Sequence, residues 1–552
     1  MASLFSRGVF GKAAETVRGF TGNRPSLRRL WTNRTQRFER LHAVLPSTVE
    51  PGESVSLTLQ AWDQCERLHT DFRGEFEVRV TDDDATHPPR VSFAPQNGGV
   101  ATASGIRFAT PGVQYLTLTH EATGQQFVSN PVHVVDDPDV RIYWGDLHLH
   151  SQYSDGCGTV TDGLEFGRDV MDLDVVAYTD HDTMGFFIPP RLQRRRMRRR
   201  YVKATKDAVE KFHDPGSFVT LFAYEWTKQP TVGGHLNVYF DSVEEAKLFD
   251  SISPESNSYE KLWARLREFN ATHDAEALTI PHHPAESTYP FDFSAVDYDD
   301  ELAPLVEVYS QWGSSERPAD SGNHQPVLMG SGEVNEAGHY VQDALALGNR
   351  VGMTASSDYH GPHPGHSLLH ADSHLPSLRE WRDQGIGWGL IWRVWNEPSY
   401  PGGLQAFYAP ELTRDAIFES LRSRSVYGTS QPNRILVDFR INGVRIGEDD
   451  STVTVAGDDT PRDVSLTAAG TAPLTDVTVV KNNESWRTVG HDDDPTSFET
   501  YTVERTWNDQ APISGLSWDD ARGTEADVYY VRLRQANGGM AWAGPLWVEG
   551  DS

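Results

Sequence analysis

The chain has 552 residues, too many for one compact hydrophobic core, so we expect two to four domains. It contains no run of about 18 to 20 apolar residues, which argues against an integral membrane protein. The formal net charge is −30, so most of the surface would repel nucleic acid and anionic membranes. We therefore expect neither as a partner.

The acidic surface is accompanied by few lysines. Lys and Arg together number 49, of which only 8 are Lys, against 79 acidic residues. This balance is typical of halophilic proteins, in which salt screens closely spaced carboxylates; an ordinary acidic protein from an arginine-rich proteome is the alternative. The first 20 residues lack the apolar core of a secretory signal, and the two cysteines cannot form a disulfide framework or a four-thiolate zinc site. We therefore expect a cytoplasmic protein.

The first part of the chain is predicted to be a tail followed by a β-rich domain. Residues 1–35 are arginine-rich with scattered apolar positions, which indicates a tail or a short amphipathic helix. Short alternating runs such as SVSLTLQAW and GEFEVRV follow, separated by turn clusters. Period-two runs at this spacing predict an Ig-like β-sandwich over residues 36–138.

Between residues 139 and 430, mostly apolar runs alternate with predicted helices. The runs include RIYWGDLHLH, SFVTLFAYEW and PLVEVYSQ, and the helices are Leu192–Phe212, Tyr259–Thr272 and Thr413–Arg424. Buried strands that alternate with helices predict an α/β barrel or sheet with parallel strands. After residue 430 the alternating pattern returns, so we expect a C-terminal β-rich domain over residues 431–552.

Histidines concentrate in this predicted α/β region. Of the 21 histidines, 15 lie between His148 and His374, far more than an even spread would put there. In GDLHLHSQYSDG, His148 and His150 stand two apart at the end of a strand, where side chains i and i+2 point the same way and can bind one ion. Asp155 follows in a turn, where its carboxylate can complete or bridge a metal site.

The other strand ends carry further donors. They are Asp180, His181 and Asp182 in TDHD, Glu225 in YEW, His282 and His283 in PHH, and Asp358 and His360 in SSDYH. Imidazoles and carboxylates without thiolates indicate a catalytic rather than a structural metal site, suited to Zn, Mn or Fe. Such an ion would lower the pKa of its bound water from about 16 to about 7, and a second ion would stabilise charge on the leaving group.

The set of motifs resembles the polymerase-and-histidinol-phosphatase (PHP) superfamily. That family has HxH followed by Asp or His, then DH, a bridging Glu, a His and a terminal DxH, and this chain has them in the same order. The resemblance covers about residues 141–445. GDLHLHSQYSDG, FAYEWT and SSDYHGPHPG are similar to a large prokaryotic branch with flanking β-domains, one type of which hydrolyses an aryl carbamate. It implies an α/β fold class, with a distorted (β/α)7 barrel between N- and C-terminal β-sandwich domains.

The resemblance also implies how the ligands are shared. One ion would be held by His148, His150, Glu225 and Asp358, a second by Glu225 and His282, and a third by Asp155, His181 and His360. His283 is the alternative to His282. Relatives have another histidine near PLVEVYSQWGSSE, whereas Gln311 or Trp312 stands at that place here. We therefore expect the middle site to be weak or empty.

Two further residues are candidate catalytic groups. Asp180 would orient a ligating imidazole by accepting a hydrogen bond from it without itself binding the ion; an ordinary turn carboxylate is the alternative. His235 would contact substrate or relay a proton, and an ordinary loop or strand histidine is an equal alternative. The segment RLQRRRMRRR, residues 191–200, is either a solvated helix face paired with carboxylates or a positive rim that attracts an anionic substrate. Nucleic-acid binding is a third alternative, which the acidic remainder of the chain opposes.

Together these patterns predict a metal-dependent hydrolase with two or three divalent ions. A metal-bound hydroxide would attack an ester, and a phosphoester is the first choice on the resemblance. A carboxyl ester or carbamate on the same metal centre is the alternative. An alternative of a different class is a scaffold or binding protein with a degenerate metal site. The substrate is expected to be a small anionic ester, and the sequence leaves the oligomeric state open.

Overall fold

The computed structural model describes residues 27–330, 332–367, 370–385, 387–388, 391, 398–490 and 497–551. Strands outweigh helices, at 36% strand against 17% helix. Residues 1–26 of the predicted N-terminal tail lie outside the described residues. Among the helices described, none is both long enough and apolar enough to cross a membrane.

Helix α1 (Leu27–Thr32) and ten strands form the N-terminal part. The strands are β1 (Phe38–Val44), β2 (Thr48–Val49), β3 (Val55–Asp63), β4 (Gly74–Val80), β5 (Arg90–Phe93), β6 (Val100–Ile106), β7 (Gly112–Gln114), β8 (Leu116–His120), β9 (Gln126–Val128) and β10 (Val132–Val134). Sheets β1-β3-β6 and β5-β4-β8-β9 share one hydrophobic core, to which Leu57, Leu59 and Phe76 belong. A third sheet, β2-β10-β7, contributes Val49, Val132 and Val134 to the same core, so the alternating sequence pattern forms three sheets around one core.

The middle part has ten further strands and seven helices among the described residues. The strands are β11 (Arg141–Asp146), β12 (Val175–Tyr178), β13 (Val219–Trp226), β14 (His235–Phe240), β15 (Ala277–His282), β16 (Leu305–Ser310), β17 (Gly313–Ser314), β18 (Gly352–Ala355), β19 (Leu404–Ala409) and β20 (Val426–Thr429). The helices are α2 (Val160–Asp169), α3 (Pro190–Arg196), α4 (Val202–Phe212), α5 (Tyr259–Thr272), α6 (Val341–Ala346), α7 (Leu378–Gln384) and α8 (Arg414–Arg422). A π-helical turn, Met197–Tyr201, joins α3 to α4.

The three helices predicted from the sequence are confirmed by α3 with α4, by α5 and by α8. Helix α5 begins after Ser258, whose side chain accepts a hydrogen bond from the backbone N–H of Lys261. Its buried residues Leu262, Leu266 and Phe269 recur at helical spacing, so one face of the helix packs on the core.

The strands of the middle part lie in one sheet with two parallel groups. β11, β12 and β13 pair in parallel, and β15, β16 and β18 form the second parallel group. β14 lies between the groups and is antiparallel to both β13 and β15. β19 is antiparallel to β11, and β20 is antiparallel to β19.

The predicted α/β fold class with a distorted (β/α)7 barrel is wrong. Strands dominate in large sheets, and helices are too few to alternate with every strand. The physical reason is clear between β13 and β14, since residues 227–234 are too few to contain the crossover helix that a parallel pairing requires. The two strands therefore form an antiparallel hairpin, and β14 is a strand that the sequence analysis did not count.

The C-terminal part continues the same sheet. Its strands are β21 (Leu436–Ile441), β22 (Val444–Arg445), β23 (Thr452–Val455), β24 (Arg462–Ala469), β25 (Leu474–Lys481), β26 (Glu484–Val489), β27 (Thr502–Asp509), β28 (Leu516–Ser517), β29 (Gly523–Thr524), β30 (Asp527–Gln535) and β31 (Met540–Gly550). β31 pairs with β20, and β30, β25 and β26 follow it in order. Only β22-β21-β24-β27 and the short β28-β29 pair form separate sheets here. Strand pairing therefore crosses the predicted boundary at residue 430, since β31 extends the sheet of the middle part.

Candidate metal centre

The predicted donors meet at one edge of the central sheet. Parallel strands bring their carboxyl ends together, and His148 follows β11, Glu225 lies near the end of β13, and His282 ends β15. Antiparallel β14 reaches the same edge with its first residue, because His235 pairs in register with His282. Because β14 runs in the opposite direction, its first residue and not its last lies at this edge. That first residue is His235.

Glu225 lies at the centre of the cluster. Its Oε2 atom is 3.3 Å from His148 Nε2 and 3.2 Å from His150 Nε2. Its Oε1 atom is 2.9 Å from His181 Nδ1, 2.6 Å from His235 Nδ1 and 3.6 Å from His282 Nε2. The two oxygens therefore face two different sets of imidazoles, an arrangement in which one carboxylate would serve two donor sets.

Asp358 completes the first set of donors. Its Oδ1 atom lies 3.2 Å from His148 Nε2 and 3.1 Å from His150 Nε2. The backbone of Asp358 is left-handed, with a φ of 50°, which is an uncommon conformation for a residue other than glycine. The first set thus consists of His148, His150, Glu225 and Asp358, and all four side chains are buried.

A second set joins His150 to the loop and strand ends on the other side. The ligand atoms of His150, Asp155, His181 and His360 all lie within 4.8 Å of one another. Asp155 Oδ1 is 3.5 Å from the Nε2 atoms of both His181 and His360. His360 Nδ1 lies 3.1 Å from the carbonyl oxygen of Asp358, so an N–H donated there leaves Nε2 directed at Asp155.

The third set consists of His235, His282 and His283, whose ligand atoms also lie within 4.8 Å of one another. Within the described part of the chain, neither ring nitrogen of His282 has a hydrogen-bond partner, although it is fully buried. His283 has a φ of 35° and lies beside it, so the structure brings both alternatives for this position into the cluster.

The hydrogen bonding of His235 fixes the direction of its ring. His235 Nε2 lies 3.0 Å from the carbonyl oxygen of Lys228, an acceptor, so this nitrogen carries the proton. His235 Nδ1 then faces Glu225 Oε1 at 2.6 Å, and two lone pairs at this distance need a proton or a cation between them. A histidine that donates to a backbone carbonyl and turns its other nitrogen inward is typical of a metal ligand.

Asp182 lies outside the donor sets, and its carboxylate accepts hydrogen bonds from the backbone N–H groups of Thr227 and Ser251. Asp180 also lies outside them. Its carboxylate accepts hydrogen bonds from the backbone N–H and the hydroxyl of both Ser151 and Ser154. Ser154 Oγ is in turn 3.4 Å from His150 Nδ1. Asp180 thus fixes the loop that follows His150, and its contact with the imidazole is indirect.

Burial and charge shift the pKa values of the cluster in opposite directions. Burial alone would lower the pKa of His150, but the carboxylates of Asp358 and Glu225 outweigh it and raise that pKa to about 9. Burial and the nearby His148 lower the pKa of His282 to about 4. Burial would raise the pKa of Glu225, but the surrounding imidazoles hold it well below its usual value. The carboxylates therefore attract positive charge to the His148 and His150 positions, as protons or as metal cations.

Glu307, which is not among the residues predicted from the sequence, orients a predicted ligand. Glu307 is buried in β16, and its two oxygens lie 3.2 and 3.1 Å from His148 Nδ1. An N–H donated there directs His148 Nε2 at Glu225 and Asp358. The signal in the sequence was one carboxylate inside an otherwise apolar strand run, LVEVYS.

Gln311 occupies the place where a further histidine was expected. Its side-chain N–H donates to the carbonyl oxygen of Asp358, and its backbone N–H donates to Ser357 O at 3.1 Å. Gln311 therefore stabilises the left-handed backbone at Asp358 through hydrogen bonds to two carbonyl oxygens, and it contributes no atom to the donor sets. His235 supplies an imidazole to the third set from a different strand.

The arginine-rich segment packs beside the cluster through α3. The Gln193 side chain donates to the carbonyl oxygens of Tyr153 at 2.8 Å and His181 at 3.2 Å. Arg194 and Arg198 pair with the buried Asp250. Arg191, Arg195, Arg199 and Arg200 form no ion pair with any described residue. The pairing of Arg194 and Arg198 agrees with a helix face paired with carboxylates, and the positive rim that would attract an anionic substrate stays a prediction.

Comparison with known proteins gives relatives without an assigned activity. Residues 164–303 match a family model described as "Protein of unknown function (DUF3604)". An uncharacterized protein of Chlamydia muridarum (strain MoPn / Nigg) is 25% identical over 458 residues, covering 83% of this chain and 65% of that protein. An uncharacterized protein of Chlamydia pneumoniae is 26% identical over 460 residues, with the same coverage of 83% and 65%. The chain thus spans about two thirds of the length of these curated relatives.

Two solved structures illustrate a weak likeness. The D0-D1 domain of Intimin matches 21% of this chain and 59% of its own, at 10% identity and a TM-score of 0.16. A structure of PhoD matches 33% of this chain and 38% of its own, at 12% identity and a TM-score of 0.16. These scores are too low to bear on the fold or on the function.

Proposed function

We propose that this protein is a metal-dependent hydrolase that cleaves esters, with phosphoesters as the first substrate class. The observation that carries the proposal is the position of Glu225, whose two carboxylate oxygens have five imidazoles within 3.6 Å. A structural role alone does not call for so many imidazoles around one buried carboxylate. The metal roles proposed for the other donors rest on their distances to the imidazoles.

The residues present fit divalent transition ions. Imidazole nitrogens with carboxylate oxygens, and no thiolates, suit Zn, Mn or Fe. The buried nitrogens of His282 without hydrogen-bond partners are the kind of group that an ion would satisfy. When bound, such ions would lower the pKa of coordinated water to about 7 and neutralise charge on the substrate oxygens.

The three donor sets name the residues that would hold the ions. The first set is His148, His150, Glu225 and Asp358; the second is His150, Asp155, His181 and His360; the third is His235, His282 and His283, with Glu225 beside them. The third set contains His282, which the resemblance assigned with Glu225 to the second ion. His235 and His283 lie beside it, so this position has more donors than the sequence indicated. We therefore propose two or three ions, with His235 as a ligand in place of the substrate or proton role expected from sequence.

The rest of the chain orients these donors before any substrate arrives. Glu307 and the carbonyl oxygens of Lys228 and Asp358 each accept from a ring nitrogen, which leaves the opposite nitrogen of each imidazole directed inward. Asp180 holds the loop of Asp155 through four hydrogen bonds. A donor set fixed in this way loses little entropy on binding an ion or an ester.

Metal analysis combined with a double substitution tests the proposal. The purified protein is expected to retain at least one transition ion per chain, and His148→Ala with His150→Ala is expected to remove ion and activity together. Loss of the ions should cost about a thousandfold or more in rate. Activity is measured with an aryl phosphate, a bis-aryl phosphate and an aryl carboxylate ester, each with added Mn or Zn.

The matched control replaces two histidines outside the cluster, His213→Ala with His273→Ala, and should retain both ion and activity. Wild-type protein that binds no ion after purification without chelator would contradict the proposal and favour a scaffold. Cleavage of the carboxylate ester alone would keep the metal centre but replace the phosphoester as its substrate.

A further inference from the structure

Phe187 is a large aromatic residue that lies exposed shortly after His181. Its side chain is 55% exposed, and its φ is 54°. A bulky residue rarely adopts this left-handed conformation, which persists only where the surrounding structure imposes it. Backbone strain of this kind is concentrated at ligand-binding positions. A position of Phe187 close to the donor sets would therefore point to a role in binding.

The segment that carries Phe187 is attached to the cluster at two points. Met184 Sδ lies 3.8 Å from the Tyr289 hydroxyl, and the ring centroids of Tyr289 and His235 are 4.3 Å apart. The backbone N–H of Phe186 donates to Ser154 O at 3.1 Å, in the residue before Asp155. Phe187 therefore lies at the rim of the buried donors, between the His235 and Asp155 sides.

Two other aromatic rings pack against Phe187. Its ring centroid is 4.6 Å from that of Phe186 and 5.7 Å from that of Trp388, and the latter two are 5.0 Å apart. The backbone N–H of Trp388 donates to Asp155 O at 2.9 Å, so this group is tied directly to a candidate ligand. Trp388 is buried, and Phe187 is the ring of the three that is exposed to solvent. We call Phe186, Phe187 and Trp388 the aromatic rim.

We propose that the aromatic rim is a subsite for an aromatic or similarly flat apolar group of the ester substrate. The buried donors provide charge and ligand atoms and would recognise only the anionic or reacting part of an ester. The rim adds an exposed apolar face next to Asp155, where a ring on the same substrate can stack or pack edge-on. This inference rests on the proposed function and narrows it to esters that carry an aromatic group.

Non-hydrolysable phosphonates test the subsite without requiring turnover. Phenylphosphonate and methylphosphonate have the same anionic head and differ in the apolar group. Their affinities for the full-length, zinc-loaded protein are measured by calorimetry. Because a ring packed on an aromatic surface gains both buried area and ring contact, wild-type protein should prefer phenylphosphonate by about tenfold.

Three variants locate the source of the preference. Phe187→Ala should reduce the ratio of the two affinities to near one, and Phe187→Tyr, which keeps a ring, should preserve it. Leu27→Ala, a change at an apolar residue that is 84% exposed on α1, should leave the ratio unchanged. Zinc content is measured for each variant, so that loss of ions is distinguished from loss of the subsite.

The possible failures separate the two proposals. Binding of both phosphonates with equal affinity, or a preference that Phe187→Ala leaves intact, would overturn the aromatic subsite and leave the metal centre standing. Zinc-loaded protein that binds neither phosphonate would overturn the phosphoester function, and the subsite with it. A change in oligomeric state in Phe187→Ala, with the affinity ratio unchanged, would assign the exposed ring to contact between copies instead.

Discussion

Two clusters of buried carboxylates in this molecule meet different surroundings. In the C-terminal part, Asp509 and Asp527 lie within 3.4 Å of nitrogens of both Arg462 and Lys481. At the edge of the central sheet, Glu225 and Asp358 are equally buried. Among the described residues, the basic groups within 4.0 Å of them are all imidazoles, and no Lys or Arg nitrogen lies that close. The Thr227 hydroxyl, which donates to Glu225 Oε1 at 3.1 Å, carries no charge. The first cluster is neutralised by the protein itself, whereas the second is the one for which we propose bound cations.

The comparison separates a structural charge cluster from a candidate functional one. Buried carboxylates are costly unless opposite charge accompanies them. Arginine and lysine provide that charge permanently, so the C-terminal cluster has no need of a ligand. Imidazoles provide it only while protonated, and a metal ion can replace those protons. Substitutions in the two clusters should therefore affect different properties.

The largest effect is expected from Arg462→Met in the C-terminal cluster. Arg462 is fully buried, and its Nη2 atom is 3.1 Å from Asp509 Oδ2 and 3.4 Å from Asp527 Oδ2. Removing this cation leaves two buried carboxylates with Lys481 alone, which should lower the free energy of unfolding by about 3–5 kcal/mol. Urea unfolding followed by tryptophan fluorescence measures the change.

The control for this prediction is Arg505→Met, an exposed arginine on β27, which should change stability by less than about 0.5 kcal/mol. Bound metal should be the same in both variants and in wild type. A loss of metal in Arg462→Met without a loss of stability would contradict the distinction between the two clusters.

A smaller effect, on metal affinity, is expected from substitutions of Glu307. Its carboxylate orients His148, so Glu307→Ala should weaken ion binding by about 10- to 100-fold. Glu307→Gln should lose less, because its amide oxygen still accepts from His148 Nδ1. Competition with a chelator measures the affinity of each variant.

Glu316 provides the matched comparison. It is also a buried carboxylate just beyond β16, but it is neutralised by Arg532, whose Nη1 lies 2.6 Å away, and it accepts from Tyr530 and Trp542. Glu316→Gln should therefore reduce stability and leave metal affinity unchanged. Equal losses of affinity in Glu307→Gln and Glu316→Gln would show that general destabilisation, and not orientation of His148, is the cause.

The donors of the candidate site were recognisable from the sequence because they stand beside apolar runs. His148, Glu225 and His282 follow or end strands whose buried character is evident from composition alone. Glu307 was missed because a single carboxylate in an apolar run has no pattern of its own. The role of His235 was missed because it depends on the register that pairs it with His282 across β14 and β15.

The fold was harder to predict from the sequence than the donor residues, because strand pairing depends on residues that are far apart in the chain. In the N-terminal part the sequence runs of β3 and β4 alternate, and each pairs with a strand that lies close to it along the chain, β3 with β1 and β4 with β5. The pairing of β20 with β31 joins residues near 428 to residues near 542, and no local signal marks it. Apolar runs alone likewise do not distinguish the antiparallel β14 from a parallel strand, so the barrel was expected where a mixed sheet forms.

The smallest expected effect is a pH dependence of stability that belongs to the self-neutralised cluster. Burial would raise the pKa of Asp509, but hydrogen bonds from Lys481 and Tyr529 outweigh it and lower that pKa to about 2, below the ordinary value of 3.8. Because the folded-state pKa is the lower one, the stabilisation is present above about pH 4 and is lost as the pH falls towards 2. Partial screening by water limits it to about 1 kcal/mol. Urea unfolding of metal-free protein between pH 5 and 2 is compared with that of Asp509→Asn, which should lose this part of the acid dependence; parallel curves would show that Asp509 titrates in the folded state as it does in the unfolded chain.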